Sequence, residues 1–169
     1  MKPKLFKTFH LLPSARLASR STKRTSKLGK GFHIGVDPDK GQMTAKGGQT
    51  LKISLKVEDQ KDPPGWAELG WSGGTALLEG LPHFVLRLHA SADRDHCLTP
   101  ALRLIDDAGF RDVFAHKPIE LSTRKAPAET TLDLSPGQIA ACRAINLQLF
   151  LHPETVTLSL DSLTLTALA

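Results

Sequence analysis

Tyrosine is absent from this chain, and aromatic residues make up only 5% of its 169 positions. A hydrophobic core therefore has to be built from Leu, Ile and Val, and few rings remain for stacking on bases or sugars. Only two cysteines occur, Cys97 and Cys142, in no C-x-x-C pair, which excludes a disulfide framework and points to a reducing compartment. No run of 18 apolar residues exists, so no membrane-spanning helix is expected. Lys7, His10, Pro13 and Arg16 interrupt the segment where the apolar stretch of a signal peptide would lie. The expected location is cytoplasmic. Nucleophile elbows, H-E-x-x-H, phosphate-binding loops and dinucleotide fingerprints are missing too, so the expectation is a non-enzymatic protein without a cofactor.

Acidic residues are missing from residues 1–36, which hold nine basic side chains: Lys2, Lys4, Lys7, Arg16, Arg20, Lys23, Arg24, Lys27 and Lys30. Those nine of the 22 Lys and Arg leave 13 basic against 17 acidic groups in the rest. The net charge of +5 thus divides into a basic N-terminal segment and a mildly acidic remainder. A stretch rich in Ser, Thr, Arg and Lys buries too little apolar surface to offset its ordering entropy. Residues 1–30 accordingly read as a flexible basic tail, and residues 31–169 as one folded domain. Such a tail suits an anionic membrane surface or an acidic partner. Nucleic acid is disfavoured, because the domain behind the tail is acidic and poor in rings.

From Gly31 onward the dominant pattern is alternation with period two. Leu51, Ile53, Leu55 and Val57 share one face against Lys52, Ser54 and Lys56. Phe84, Leu86 and Leu88 repeat the pattern, as do Leu102 with Leu104, and Leu147, Leu149 and Leu151. In the last segment the parity changes between Leu160 and Leu163, which predicts a bulge at Asp161-Ser162. Turn signals at Asp37-Pro38-Asp39, Gly47-Gly48, Pro64-Gly65 and Pro136-Gly137 separate the runs. One short helix is expected after an N-capping Ser135 with Pro136 at its first position. The fold class is an all-β antiparallel β-sandwich of jelly-roll type, with one short helix and a disordered N-terminal tail.

Several of these segments, in order, carry a likeness. They are Thr50-Leu-Lys-Ile-Ser-Leu, Trp66-Ala-Glu-Leu-Gly, Phe84-Val-Leu-Arg-Leu, and a closing strand containing Leu160-Asp161-Ser162-Leu163. Together they resemble the galactose-binding-like jelly roll of carbohydrate-binding modules, over roughly Phe32 to Ala167. The resemblance implies a sandwich that binds a glycan without cleaving it. It also implies a structural Ca²⁺ near the terminal strands, for which Asp37, Asp39 and Asp161 are the candidate ligands.

The polar positions on the strands suggest where a ligand would sit. Arg87, His89, Arg103, Gln148 and His152 alternate with core residues and form a polar platform if their strands share a sheet. Arg and Gln suit bidentate hydrogen bonding to hydroxyls or carboxylates. Trp66 and Trp71 flank Glu68 beside the Pro-Pro-Gly turn, where a ring stacks on a sugar or plugs the end of the core. The functional expectation is a non-catalytic carbohydrate-binding module tied to bacterial surface polysaccharide production, with a glycan or a glycan-processing protein as partner. The second expectation is a protein-interaction or assembly module, peripheral to a membrane, whose basic tail docks on that surface or on an acidic partner.

Overall fold

A computed structural model describes residues 6–14 and 16–169. In chain order the strands are β1 (Phe6–Leu12), β2 (Arg20–Thr22), β3 (Thr25–Gly29), β4 (Phe32–Val36), β5 (Gly41–Lys46), β6 (Leu51–Val57) and β7 (Ala67–Trp71). They continue with β8 (His83–Ala92), β9 (His96–Asp106), β10 (Gly109–Phe114), β11 (Ile119–Leu121), β12 (Ala126–Asp133), β13 (Ala144–Leu151) and β14 (Val156–Leu168). Helix α1 (Pro136–Ala140) precedes β13 and opens with a capping box, Ser135 Oγ accepting from Gln138 N while Gln138 Oε1 accepts from Ser135 N.

The strands form two antiparallel seven-stranded sheets. Sheet I runs β12-β8-β14-β6-β5-β2, with β1 also on β14, and sheet II runs β10-β9-β13-β7-β4-β3, with β11 also on β9. Each sheet is organised around a long strand that changes partner part-way along. On one edge of β14, β6 pairs with Val156–Leu160 and β1 with Leu163–Leu168, and the expected bulge lies between Leu160 and Ser162. On one edge of β9, β11 pairs with 96–98 and β10 with 101–106. Pro100 lies in the gap between these two partners, where a missing N–H costs no ladder bond.

The alternating residues face each other between the sheets. Ile53, Leu86, Leu104, Leu132, Ile145 and Leu165 have no exposed surface. The core is predominantly aliphatic, with Phe32 and Phe84 as its buried rings.

The N-terminal segment departs from the expected flexible tail. Within residues 6–30, β1 and β2 belong to sheet I and β3 to sheet II. Leu11, Leu12, Leu17 and Leu28 are buried in the core. The physical reason is that β1 buries two leucines, β3 one and β2 none, with Leu17 between strands, so the composition of the segment resembles that of a disordered chain. Their cations find partners on the acidic domain: Lys7 Nζ lies 2.6 Å from Glu79 and Lys23 Nζ 2.8 Å from Glu58. The charge asymmetry of the sequence is in part an internal complementarity. Residues 1–5 of the expected tail lie outside the described residues.

Candidate ligand cleft on the outer face of sheet II

Strand alternation decides what the outer face of sheet II presents. Leu102 and Leu104 point into the core, so Arg103 points out. In register beside Arg103 stand Asp112 on β10 and Asn146 on β13. One row along, Gln148 lies between Ala101 and Gly70, and Gly70 faces His33. The next row holds Phe150 beside Glu68, which faces Gly35.

Two glycines make this face a recess. A methyl group on Gly70 would overlap the His33 ring and Gln148 Oε1. A methyl on Gly35 would stand 3.0 Å from Trp66 Cζ3. Side chains from neighbouring strands therefore lie across bare backbone. As a result Glu68 and Gln148 are buried although they sit on an outer face. Gln148 Oε1 is enclosed and has no hydrogen-bond partner among the described residues.

Charges are matched along the recess. Arg103 donates from Nε to Asp112 Oδ1 at 2.8 Å and from Nη2 to Oδ2 at 2.9 Å. Its Nη1 lies 3.6 Å from Glu68 Oε2, and Glu68 Oε1 is 3.1 Å from His33 Nε2. The hydrogen bond to Asp112 raises the Arg103 pKa above its ordinary value; burial opposes this, and Glu68 adds to it. The guanidinium is 4.2 Å from the Phe110 ring centroid and 5.7 Å from that of Phe150. Phe150 in turn packs 6.1 Å from Phe114. Trp66, Glu68, Arg103, Phe110, Asp112 and Phe150 line a depression of about 370 Å³. Phe110 is 65% exposed and Trp66 37%.

The structure divides the expected platform. Arg103 and Gln148 lie in this recess, but Arg87 and His89 are on β8, on the outer face of the other sheet. There Arg87 pairs with Glu129, and His89 Nδ1 is 3.4 Å from Asp161. Alternation along single strands does not reveal which sheet a strand joins. His152 is exposed just past β13 and borders a separate depression of about 720 Å³ with His96, Cys97 and Glu154. Trp66 belongs to the recess. Trp71 is half-buried against the core, with its ring 5.9 Å from Phe9.

The expected calcium ligands do not converge. Asp37 Oδ2 accepts from Gly65 N at 2.9 Å, as a turn residue does. Asp39 sits at a positive φ of 66° in the same turn. Asp161 is bound to Lys125 at 2.9 Å and Thr50 at 2.7 Å. No group of three or more His, Cys, Asp or Glu side chains suited to a metal ion exists among the described residues.

Sequence comparison matches no family model and no curated protein. Comparison of the fold is informative. A family 22 xylan-binding domain from Paenibacillus barcinonensis superposes with a TM-score of 0.54, at 12% identity, over 90% of this chain and 93% of that domain. The C-terminal family 22 module of a Clostridium thermocellum protein gives 0.53 at 10% identity, over 95% and 92%. A family 29 module from Piromyces equi gives 0.51 at 11% identity, over 96% and 91%. The chain has the jelly-roll fold of carbohydrate-binding modules. In this jelly roll, Glu68, His33, Asp112, Phe110 and Phe150 join the recess without having been singled out as ligand groups from the sequence. The glycines inside two strand patterns, Gly35 and Gly70, are the signal that marks it, since glycine within a strand accompanies a close approach.

Proposed function

We propose that the recess on sheet II binds an extended carbohydrate chain and performs no chemistry on it. The observation that carries this reading is the combination of exposed rings with buried, converging polar groups on one face. Trp66 and Phe110 offer apolar surfaces for sugar faces, while Arg103, Glu68 and Asp112 line the same depression as hydrogen-bonding groups. Similar folds support the reading: one is described as xylan-binding, and in another amino acids of the cleft have a role in ligand binding.

Binding is favoured over hydrolysis by the state of the two carboxylates. Glycoside cleavage generally needs one carboxyl kept protonated and another placed as base or nucleophile. Here both carboxylates are engaged by Arg103, Asp112 through two hydrogen bonds and Glu68 at 3.6 Å, so neither stands free as an acid or a nucleophile. We assign the domain to a polysaccharide-handling system on the same grounds. Affinity electrophoresis and titration calorimetry against soluble xylan, glucan, mannan and uronate polymers test the reading. Trp66→Ala should weaken binding about tenfold or more while the fold persists. Flat titrations across that panel would remove the assignment.

A further inference from the structure

On the same sheet a second depression of about 490 Å³ is lined among others by Thr25, Lys27, Gly31, His33 and Ser72. The two depressions are neighbours, since His33 of the second touches Glu68 of the first. Their electrostatics differ. In the first the Arg103 cation is matched by Asp112 and Glu68. The lining of the second contains no Asp or Glu.

Lys27 stands on β3 directly opposite His33. Lys7, Lys23, Lys40 and Lys125 each close on a carboxylate, whereas Lys27 makes no ion pair among the described residues. Neither does Lys30, which sits at positive φ in the turn between β3 and β4. The surface beside these lysines is kept bare. At Gly31, with φ +84°, a side chain would meet the Trp71 ring and Ser72 O at 3.2–3.3 Å. Thr25 pairs with Gly35, the residue under Trp66, and Lys27 lies two positions further along β3. Strand geometry puts the Lys27 backbone roughly 8 Å from that of Gly35. A sugar stacked on Trp66 is thus close enough for it, or its neighbour, to present a substituent to Lys27.

We propose that this second depression receives the carboxylate of a uronic-acid unit, so that the ligand class is an acidic polysaccharide. The inference rests on the carbohydrate-binding reading and narrows it. An ammonium without a counter-ion among the described residues, in a lining free of acids, favours an anion over a neutral hydroxyl. The selectivity is electrostatic and therefore weakens with salt.

The experiment is calorimetry on the full chain with uronate oligosaccharides, their carboxyl-reduced neutral counterparts and a sulfated glucan, at low and high NaCl. The uronate should bind about tenfold tighter than its reduced form at low salt, and the difference should shrink at high salt. Lys27→Gln should lower uronate affinity about fivefold and leave the neutral form unchanged. Lys27→Arg should retain the preference, and Trp66→Ala should weaken both ligands. Equal affinity for the uronate and its reduced form, or no effect of K27Q, overturns the carboxylate assignment and leaves carbohydrate binding standing. Equal affinity for the sulfated glucan shows recognition of charge alone and also overturns it. Absence of binding to every glycan overturns both readings together.

Discussion

The guanidinium of Arg103 lies 4.2 Å from the ring centroid of Phe110, while its Nε and Nη2 hold both oxygens of Asp112. One side chain thus orients a ring, a carboxylate and, through Nη1, Glu68. Its side chain is only 18% exposed, so its loss leaves two carboxylates short of their counter-ion in a recess. Arg103→Ala should cost about 2–3 kcal/mol of stability and abolish measurable glycan binding. Arg103→Lys should cost less, because it keeps the charge and loses the planar fork. Urea unfolding paired with calorimetry separates the two effects.

Gly70 is the backbone on which the recess is built. Its substitution by Ala places a methyl where the His33 ring and Gln148 Oε1 now lie. Gly70→Ala should lower the melting temperature and displace His33, losing binding even where the fold survives. Gly137→Ala is the control, since the nearest atom to a methyl there is Ser135 Oγ at 4.0 Å. Thermal melts of the two variants, with NMR of the histidine rings, provide the check.

Removal of residues 1–30 should unfold the domain. The deletion takes away Leu11, Leu12, Leu17 and Leu28, all buried. At about 2 kcal/mol for each leucine, the loss is comparable with the ~5–15 kcal/mol stability of a whole domain. It also uncovers the edges of β4, β5 and β14. Circular dichroism and proteolysis of the truncated chain test this. A cooperative, protease-resistant product would show that the segment is a dispensable appendage.

His96 sets a pH dependence. Its side chain is fully enclosed, with Nδ1 2.9 Å from Glu154 Oε1 and Nε2 without a partner among the described residues. Burial holds the imidazole below its ordinary pKa of 6.5, against the opposing pull of Glu154. The unfolded chain therefore takes up this proton at higher pH than the folded one. Stability from this group is complete above about pH 6.5 and is lost as pH falls from there through the folded value. Unfolding free energies measured between about pH 7.5 and 5 should fall with acid, and His96→Leu should flatten that slope. A wild-type profile without slope across this window contradicts the mechanism.

Much of the fold was written in local pattern. Period-two alternation marked Leu51 to Val57 and Phe84 to Leu88 as half-buried strands, and both are. The parity change at Asp161 marked the bulge that the sheet contains. Ser135 and Pro136 marked the start of the helix. These features depend on neighbours a few residues apart, so the sequence by itself determined them.

The tertiary structure decided the rest. Arg87 and Arg103 have the same local setting, an arginine between two inward leucines, yet β8 and β9 enter different sheets, so the two side chains lie on opposite faces of the molecule. The same pairing step turned Gln148 from a surface group into a buried acceptor, because Gly70 on the adjacent strand left room for His33 to cover it. It also drew the basic N-terminal segment into both sheets, where single leucines and complementary charge achieve what composition within the segment does not. Alternation states which residues face together along one strand. Only the closing of the sheets, driven by burial of the shared core, states which strands stand side by side.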